Sequence, residues 1–262
     1  MESARPPAVL SVENLVLKRK RDGKVLVEDL SFALDAGHTL GIVGESGSGK
    51  SISLRSIVGI QPSVLGREGN VACTPRTAMV FQEPATALNP TMRVGAFVAR
   101  TWRMHHPRTT RAEARAAAVS LFDQVGIIDP ERRVRAWPHE LSGGMKQRIM
   151  IAAALATDPE VLLCDEPTTA LDVRVQAQIL NLLRRLVAER NMAMVFVSHD
   201  LAVVSVVCEQ VLVMRNGRMV ESGPVGQVLN NPSAGYTREL LAANLTRRLE
   251  IREPRQQKDG VG

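Results

Sequence analysis

No stretch of the chain is an unbroken apolar run of the roughly 18 residues that a membrane-crossing helix requires. The two most apolar stretches, residues 149–156 and 201–214, are respectively too short and interrupted by Glu209, so no span is expected. The first residues, Met1-Glu-Ser-Ala-Arg-Pro-Pro7, carry no apolar segment after a basic start, and no secretion signal is expected either. Cysteine is scarce. Cys73, Cys164 and Cys208 have no metal-binding spacing and cannot all pair, which excludes a disulfide scaffold and points to a reducing, cytosolic setting. Cys164, inside a buried-looking strand, reads as a small core residue. Aromatic residues are few: five Phe, two Trp and one Tyr do not supply stacking platforms for single-stranded nucleic acid. The formal charge of +6 is spread over residues 18–21, 132–135, 184–185 and 247–248. It therefore reads as a mildly basic, solvated surface, and no nucleic-acid partner is expected.

What is present fits a soluble globular chain. At 262 residues it can bury a sizeable core as one domain, or as one domain carrying a subdomain. Residues 9–18 and 25–34 read as antiparallel strands, separated by the turn residues Asp22-Gly23. A short apolar run at 39–43 leads into glycines and then into a helix from about Lys50. A buried strand is expected at 78–81, followed by a mostly helical stretch from about 84 to 156. Within it, Thr110-Arg-Ala-Glu113 is a capping box opening a helix over 110–125. Strands at 161–164 and 192–197 flank a helix at 173–189, and this alternation implies a parallel sheet covered on both faces. Asn216-Gly217 reads as a hairpin turn, residues 237–249 as a helix, and 252–262 as a polar, disordered tail.

Three segments carry the chemistry. Gly44-Glu45-Ser46-Gly47-Ser48-Gly49-Lys50-Ser51 fits the phosphate-loop pattern between a strand and a helix, the context that pattern needs. Its glycines let backbone N–H groups turn inward as an anion nest, and the helix start adds positive potential. Lys50 would bridge the β- and γ-phosphates of ATP, and the Ser51 hydroxyl would ligate Mg²⁺. The apolar strand ending in Asp165-Glu166 puts two carboxylates at the sheet's carboxyl edge, beside that loop. There Asp165 would hold Mg²⁺ through water and Glu166 would polarise the attacking water. Leu141-Ser142-Gly143-Gly144-Met-Lys-Gln-Arg148 opens a helix and forms a second anion-binding end.

This last segment resembles the signature sequence of ATP-binding cassette (ABC) proteins, and the resemblance covers almost the whole chain. It implies an α/β phosphate-loop NTPase fold of ABC type: a mixed, mainly parallel sheet, an antiparallel β-subdomain and an inserted helical subdomain. The expected division is one ATPase domain over 1–251, the helical subdomain at about 84–156 inserted within it, then the tail. In that family ATP is sandwiched between one subunit's phosphate loop and the other's signature, so Ser142, Gly143 and Gly144 are expected to act in trans in a head-to-tail dimer. Gln82 matches the glutamine that contacts Mg²⁺ or the attacking water and senses the membrane partner. Ala170-Leu171-Asp172 matches the loop that touches the opposite subunit, and His199 the switch histidine at the γ-phosphate. Phe81-Gln-Glu-Pro-Ala-Thr-Ala-Leu-Asn-Pro90, Trp137-Pro-His-Glu140 and Asp165-Glu-Pro-Thr-Thr-Ala-Leu-Asp-Val173 resemble the bacterial peptide and nickel importer ATPases. Asn231-Pro-Ser-Ala-Gly-Tyr-Thr237 resembles that branch's Asn-Pro-x-His-Pro-Tyr-Thr, with Ala234 and Gly235 in place of His-Pro. The resemblance implies an ATPase, peripheral on the cytoplasmic face of the bacterial inner membrane. It would drive permease subunits, pair with an identical or paralogous ATPase, and serve a solute-binding protein indirectly. The permease contact is expected along residues 82–98.

The sequence departs from the family in three places. The family stacks adenine on an aromatic, but the corresponding neighbourhood here is Leu17-Lys18-Arg19-Lys20, and Phe32 alternates as a core residue. Adenine is then left to an arginine plane or to weak contact, with poor ATP/GTP discrimination expected. The segment between Lys50 and Gln82 is short, so the antiparallel subdomain should be trimmed. The cysteine-bearing tail of some relatives is lacking after Tyr236, which removes the case for a metal cluster. Other readings fare less well. Repair ATPases insert coiled coils between loop and signature, and translation factors carry two cassettes. An iron–sulfur assembly ATPase lacks the Leu-Asn-Pro and Tyr-Thr resemblances, and a regulator without turnover would lack Glu166 or His199.

Overall fold

The computed structural model describes residues 8–74, 76–169 and 171–252, without the side chains of 85 and 244–252. Of the expected tail at 252–262, Arg252 ends the last helix and the rest lies outside the described residues, as do most of the N-terminal segment and Ala170.

Two sheets meet at the centre. The smaller has three antiparallel strands in the order β2-β1-β4, with β1 at Leu10–Arg19, β2 at Val25–Leu34 and β4 at Leu65–Cys73. One face of it is apolar by alternation: Leu10, Val12, Leu15, Leu17 and Leu30 are essentially fully buried. The short link expected between Lys50 and Gln82 appears as the single strand β4, paired to β1 alone within this sheet.

The larger sheet runs β5-β6-β7-β3-β8-β9, with β3 at Thr39–Val43, β5 at Thr77–Val80, β6 at Val161–Asp165, β7 at Ala193–Ser198, β8 at Gln210–Arg215 and β9 at Arg218–Pro224. All pairings are parallel except β8 with β9. Strands β3, β6 and β7 are buried at every position, as continuous apolar runs sandwiched on both faces must be. The β8–β9 turn has Asn216 at φ 50° and Gly217 at φ 82°, the paired left-handed residues that a two-residue hairpin takes.

Helices complete the layers. After β3 comes α1 (Lys50–Ile57); between β5 and β6 lie α2 (Pro84–Ala87), α3 (Val94–His105), α4 (Arg111–Gln124), α5 (Pro130–Arg133) and α6 (Gly143–Leu155). Beyond β6 follow α7 (Val173–Arg190), α8 (Leu201–Val207), α9 (Val225–Asn230) and α10 (Gly235–Arg252). The Thr110 capping box forms in both directions, Glu113 N–H to Thr110 Oγ1 and Thr110 N–H to Glu113 Oε2. From Ile149 to Leu155, α6 is buried on all sides, so it is the spine of the helical layer. The last helix opens at Gly235, two residues before the expected Thr237, because Glu221 on β9 accepts the N–H groups of Ser233 and Ala234 and fixes the chain there.

The core has two parts divided by the larger sheet. One joins that sheet to the helices, around Phe122, Ile149, Leu155 and Phe196. The other joins it to the smaller sheet and α1, around Leu15, Leu30, Ile42, Leu54 and Val195. Phe32 packs half-buried against this second part, and Cys164 is fully buried in the first. The carboxyl ends of β3, β6 and β7 share one edge of the sheet, where functional side chains gather.

Candidate active site

The loop after β3 curls because its glycines take conformations closed to other residues. Gly44, Gly47 and Gly49 have φ of 156°, 81° and 105°. A Cβ on Gly44 would meet the Met214 carbonyl oxygen at 2.2 Å, so the loop is also pressed against β8. Gly49 caps α1, and Lys50 follows with only 4% of its surface exposed. Its ammonium donates to the carbonyls of Gly44 at 2.8 Å and Glu45 at 2.7 Å, so the lysine bridges its own loop. Burial lowers the Lys50 pKa, and the nearby carboxylates Glu166, Asp165 and Glu45 offset part of that.

Two acids end β6 and do different things. Asp165 accepts from the Ser51 hydroxyl at 2.6 Å through Oδ1. Its Oδ2 is buried without a hydrogen-bond partner, with the Arg55 guanidinium 3.6 Å away. Burial raises the Asp165 pKa, against the pull of Ser51 and Arg55. Glu166 sits at φ 44°, a left-handed backbone that a glutamate rarely adopts, fixed by its N–H to the Val197 carbonyl. Its Oε2 accepts from Thr169 Oγ1 at 2.8 Å and lies 3.2 Å from His199 Nδ1. The His199 hydrogen bond is the main reason that the Glu166 pKa lies below the usual glutamate value, with burial opposing and Thr169 assisting.

A cleft of about 910 Å³ collects these groups: Lys50, Ser51, Gln82, Glu166 and His199 line it together with Glu45 and Ser46 of the loop. Ser48 lies buried beneath the loop, against the position a Gly44 side chain would take. The signature segment stands elsewhere. Ser142 caps α6, its Oγ accepting from Met145 N–H at 3.4 Å, and Gly144 is packed so closely on α7 that a Cβ would meet Val175 Cγ1 at 2.6 Å. Asp172 caps α7 through Val175 N–H at 2.9 Å. None of Ser142, Gly143, Gly144 or Asp172 lines the cleft of its own chain.

The sequence did not disclose several further neighbours of the site, Ile52 of α1 and Glu239 of α10 among them. Arg55 faces Asp165 from α1, Leu26 enters the cleft from β2, and Leu240 and Ala243 enter it from α10. Tyr236 also reaches the loop: its phenol oxygen accepts from Glu45 N–H at 3.1 Å. Only the Tyr-Thr resemblance marked that region in advance, and it carried no indication of contact with the loop.

Residues 27–169 match the family described as ABC transporter. The chain belongs to the ABC transporter family. It is 42% identical over 264 residues to the peptidoglycan transport ATP-binding protein YejF of Agrobacterium fabrum, covering 93% of this chain and 48% of that one. A Brucella abortus protein named as a candidate peptide import ATP-binding protein is 41% identical, covering 92% of this chain and 78% of its own length. The glutathione import ATP-binding protein GsiA of Escherichia coli is 42% identical, with 90% and 42% covered. The chain thus spans about half the length of two of these relatives and over three quarters of the third. Among solved structures, cbiO1 from Clostridium perfringens, part of the ABC transporter complex cbiONQ, superposes with a TM-score of 0.73 at 25% identity, covering 95% of this chain and 97% of that one. The mixed sheet, the antiparallel sheet and the helices are therefore those of an ABC ATPase, a domain that binds ATP. Mg²⁺ fits the residues present: the Ser51 hydroxyl, the Asp165 carboxylate with its orphaned buried oxygen and the Gln82 amide are hard oxygen donors.

Proposed function

We propose that this ABC ATPase is the motor subunit of a bacterial importer of peptides, or of nickel or a related small solute. Two ATP molecules are held between the phosphate loop of one subunit and Ser142–Gly144 of another. The observation that carries the shared site is a mismatch: the loop, Ser51, Glu166 and His199 line one cleft, with Asp165 bonded to Ser51, while Ser142, Gly143 and Gly144 of the same chain do not line it. A second identical or paralogous subunit, contacting through Asp172 as well, completes the nucleotide's enclosure.

The chemistry follows from position. Backbone N–H groups of residues 44–51 and the Lys50 ammonium hold the phosphates once Lys50 leaves its carbonyl partners. Ser51, Gln82 and Asp165 would hold Mg²⁺, which would supply charge neutralisation at the phosphates. Glu166 accepts a proton from water as the water oxygen bonds to the γ-phosphorus and the β–γ bridging oxygen leaves with ADP. His199 orients Glu166 and contacts the γ-phosphate. A low Glu166 pKa keeps the carboxylate ionised, so it can accept that proton.

Coupling to permease subunits is assigned to residues 82–98, with residues 84–156 as the helical lever of a single ATPase domain over 1–251. A groove of about 450 Å³ supports this, lined by Arg55, Phe81, Gln82, Glu83, Thr86 and Ala87. No helix among the described residues is long and apolar enough to cross a membrane; attachment at the cytoplasmic face through those subunits is part of the proposal. The peptide-class cargo, delivered by a solute-binding protein, rests on the names of the relatives. Glu166→Gln is the deciding variant: it should keep ATP binding, accumulate an ATP-bound dimer in size-exclusion chromatography, and lose hydrolysis by about 10²–10⁴-fold. Undiminished hydrolysis would reject Glu166 as the base. Affinity purification from the native host should retain permease subunits, and purification without them would favour a soluble ATPase.

A further inference from the structure

The triphosphate accounts for the polar lining of the cleft. What remains is the Glu239 carboxylate of α10 and an apolar surface from three elements: Leu26 of β2, Ile52 of α1, and Leu240 and Ala243 of α10. No Phe, Tyr or Trp among the described residues lines the cleft, and three basic side chains near the β1–β2 turn are occupied. Lys18 pairs with Glu68 at 2.8 Å, Arg19 with Asp22 at 3.4 Å, and Lys20 donates to the Ser63 carbonyl at 2.7 Å. None of these basic residues lines the cleft, and no arginine is among its lining residues.

Helix α10 is fastened to the loop at its own first turn. Glu221 accepts from Ser233 N–H, Ser233 Oγ and Ala234 N–H at 2.8, 2.9 and 3.1 Å, which sets where the helix begins. Tyr236, two residues further on and 5% exposed, accepts Glu45 N–H at 3.1 Å. Arg215 lies over its ring at 4.6 Å and reaches Glu239 at 3.9 Å, so one cation from β8 ties the tyrosine to the helix. One helical turn beyond Tyr236 the same face presents Leu240, and then Ala243, to the cleft.

We propose that α10 is the nucleobase wall of the ATP site: the base lies between Leu26 and the Leu240–Ala243 face, and Tyr236 positions the phosphate loop relative to it. This rests on ATP binding at the loop. A planar base buries its faces against aliphatic side chains without reading its hydrogen-bonding edge.

The test uses the full chain with two probes, MgATP and Mg-tripolyphosphate, titrated by calorimetry. Tripolyphosphate has phosphates and no base. Ala243→Asp, at an exposed position, should weaken ATP binding about tenfold while leaving tripolyphosphate within twofold, and Leu240→Ala should do the same. Tyr236→Phe removes the acceptor for Glu45 N–H and should weaken both probes alike, by about three- to tenfold. ATP affinity unchanged in both α10 variants, or an equal loss of both probes in both, would overturn the base wall. An unchanged Tyr236→Phe would overturn the positioning role. Lys50→Ala must lose both probes; if it kept them, the phosphate-loop reading would fall and the proposal with it.

Discussion

Glu166 and Gly44 show how much of the site is decided by single backbone angles. A non-glycine residue at φ 44° costs on the order of 1–2 kcal/mol, and here it places a carboxylate between Thr169 and His199. Gly44 works the other way: its φ of 156° and the Met214 carbonyl at 2.2 Å leave no room for a methyl group. Gly44→Ala should therefore lower stability by roughly 1–3 kcal/mol in chemical denaturation and weaken ATP binding as the loop shifts off β8. A wild-type-like variant would show that the loop has slack to spare. Glu221 gives a pH prediction. Despite the cost of burial, the Thr237 hydroxyl, the Ser233 and Ala234 N–H groups and the Ser233 hydroxyl hold its pKa down to about 2. A carboxylate depressed in the fold adds stability above its unfolded pKa of roughly 4.3, and that stability drains as pH falls toward 2. Melting curves should accordingly separate wild type from Glu221→Gln at pH 7, and the gap should close between pH 5 and pH 2. Of these residues the sequence disclosed Gly44 and Glu166 through their motifs. The role of Glu221 was illegible, because its partners lie on another element.

At the scale of elements, what could be read in advance was what depends on local pattern. β3, β6 and β7 are short apolar runs buried on both faces, and α4 declares itself by Thr110 and Glu113. Thr110→Ala should cost about 1 kcal/mol in urea unfolding, and Thr110→Ser much less. Elements with no such pattern were misplaced or passed over: α2 and α5 have four residues each, and α10 starts where a glutamate of β9 dictates. The signature segment was legible as a helix start, but its fit to α7 was not. Gly144 is 2.6 Å from Val175 Cγ1 at the position a Cβ would take. Gly144→Val should thus tilt the start of α6, reducing ATP-dependent dimerisation in light scattering while the tripolyphosphate affinity of the isolated subunit stays put.

For the whole molecule, two sheets with a helical layer put the phosphate loop and the β6 acids at one sheet edge, and the start of α6, which the proposed function makes their complement in a partner subunit, outside that cleft. Convergence of Ser51 with Asp165 was foreseeable, since a phosphate loop and a strand ending in two acids share the carboxyl edge of a parallel sheet. Contact of Tyr236 with Glu45 was not, because the residues are 191 positions apart and nothing local links them. Lys50 holds a last consequence. With its ammonium spanning the Gly44 and Glu45 carbonyls and three glycines in positive-φ conformations, the loop is held in a curled shape by its own contacts. Filling it exchanges one set of acceptors for another, without first freezing a floppy segment. Nucleotide capture should accordingly be fast, carry little conformational entropy penalty and leave the amide-exchange protection of the loop nearly the same before and after.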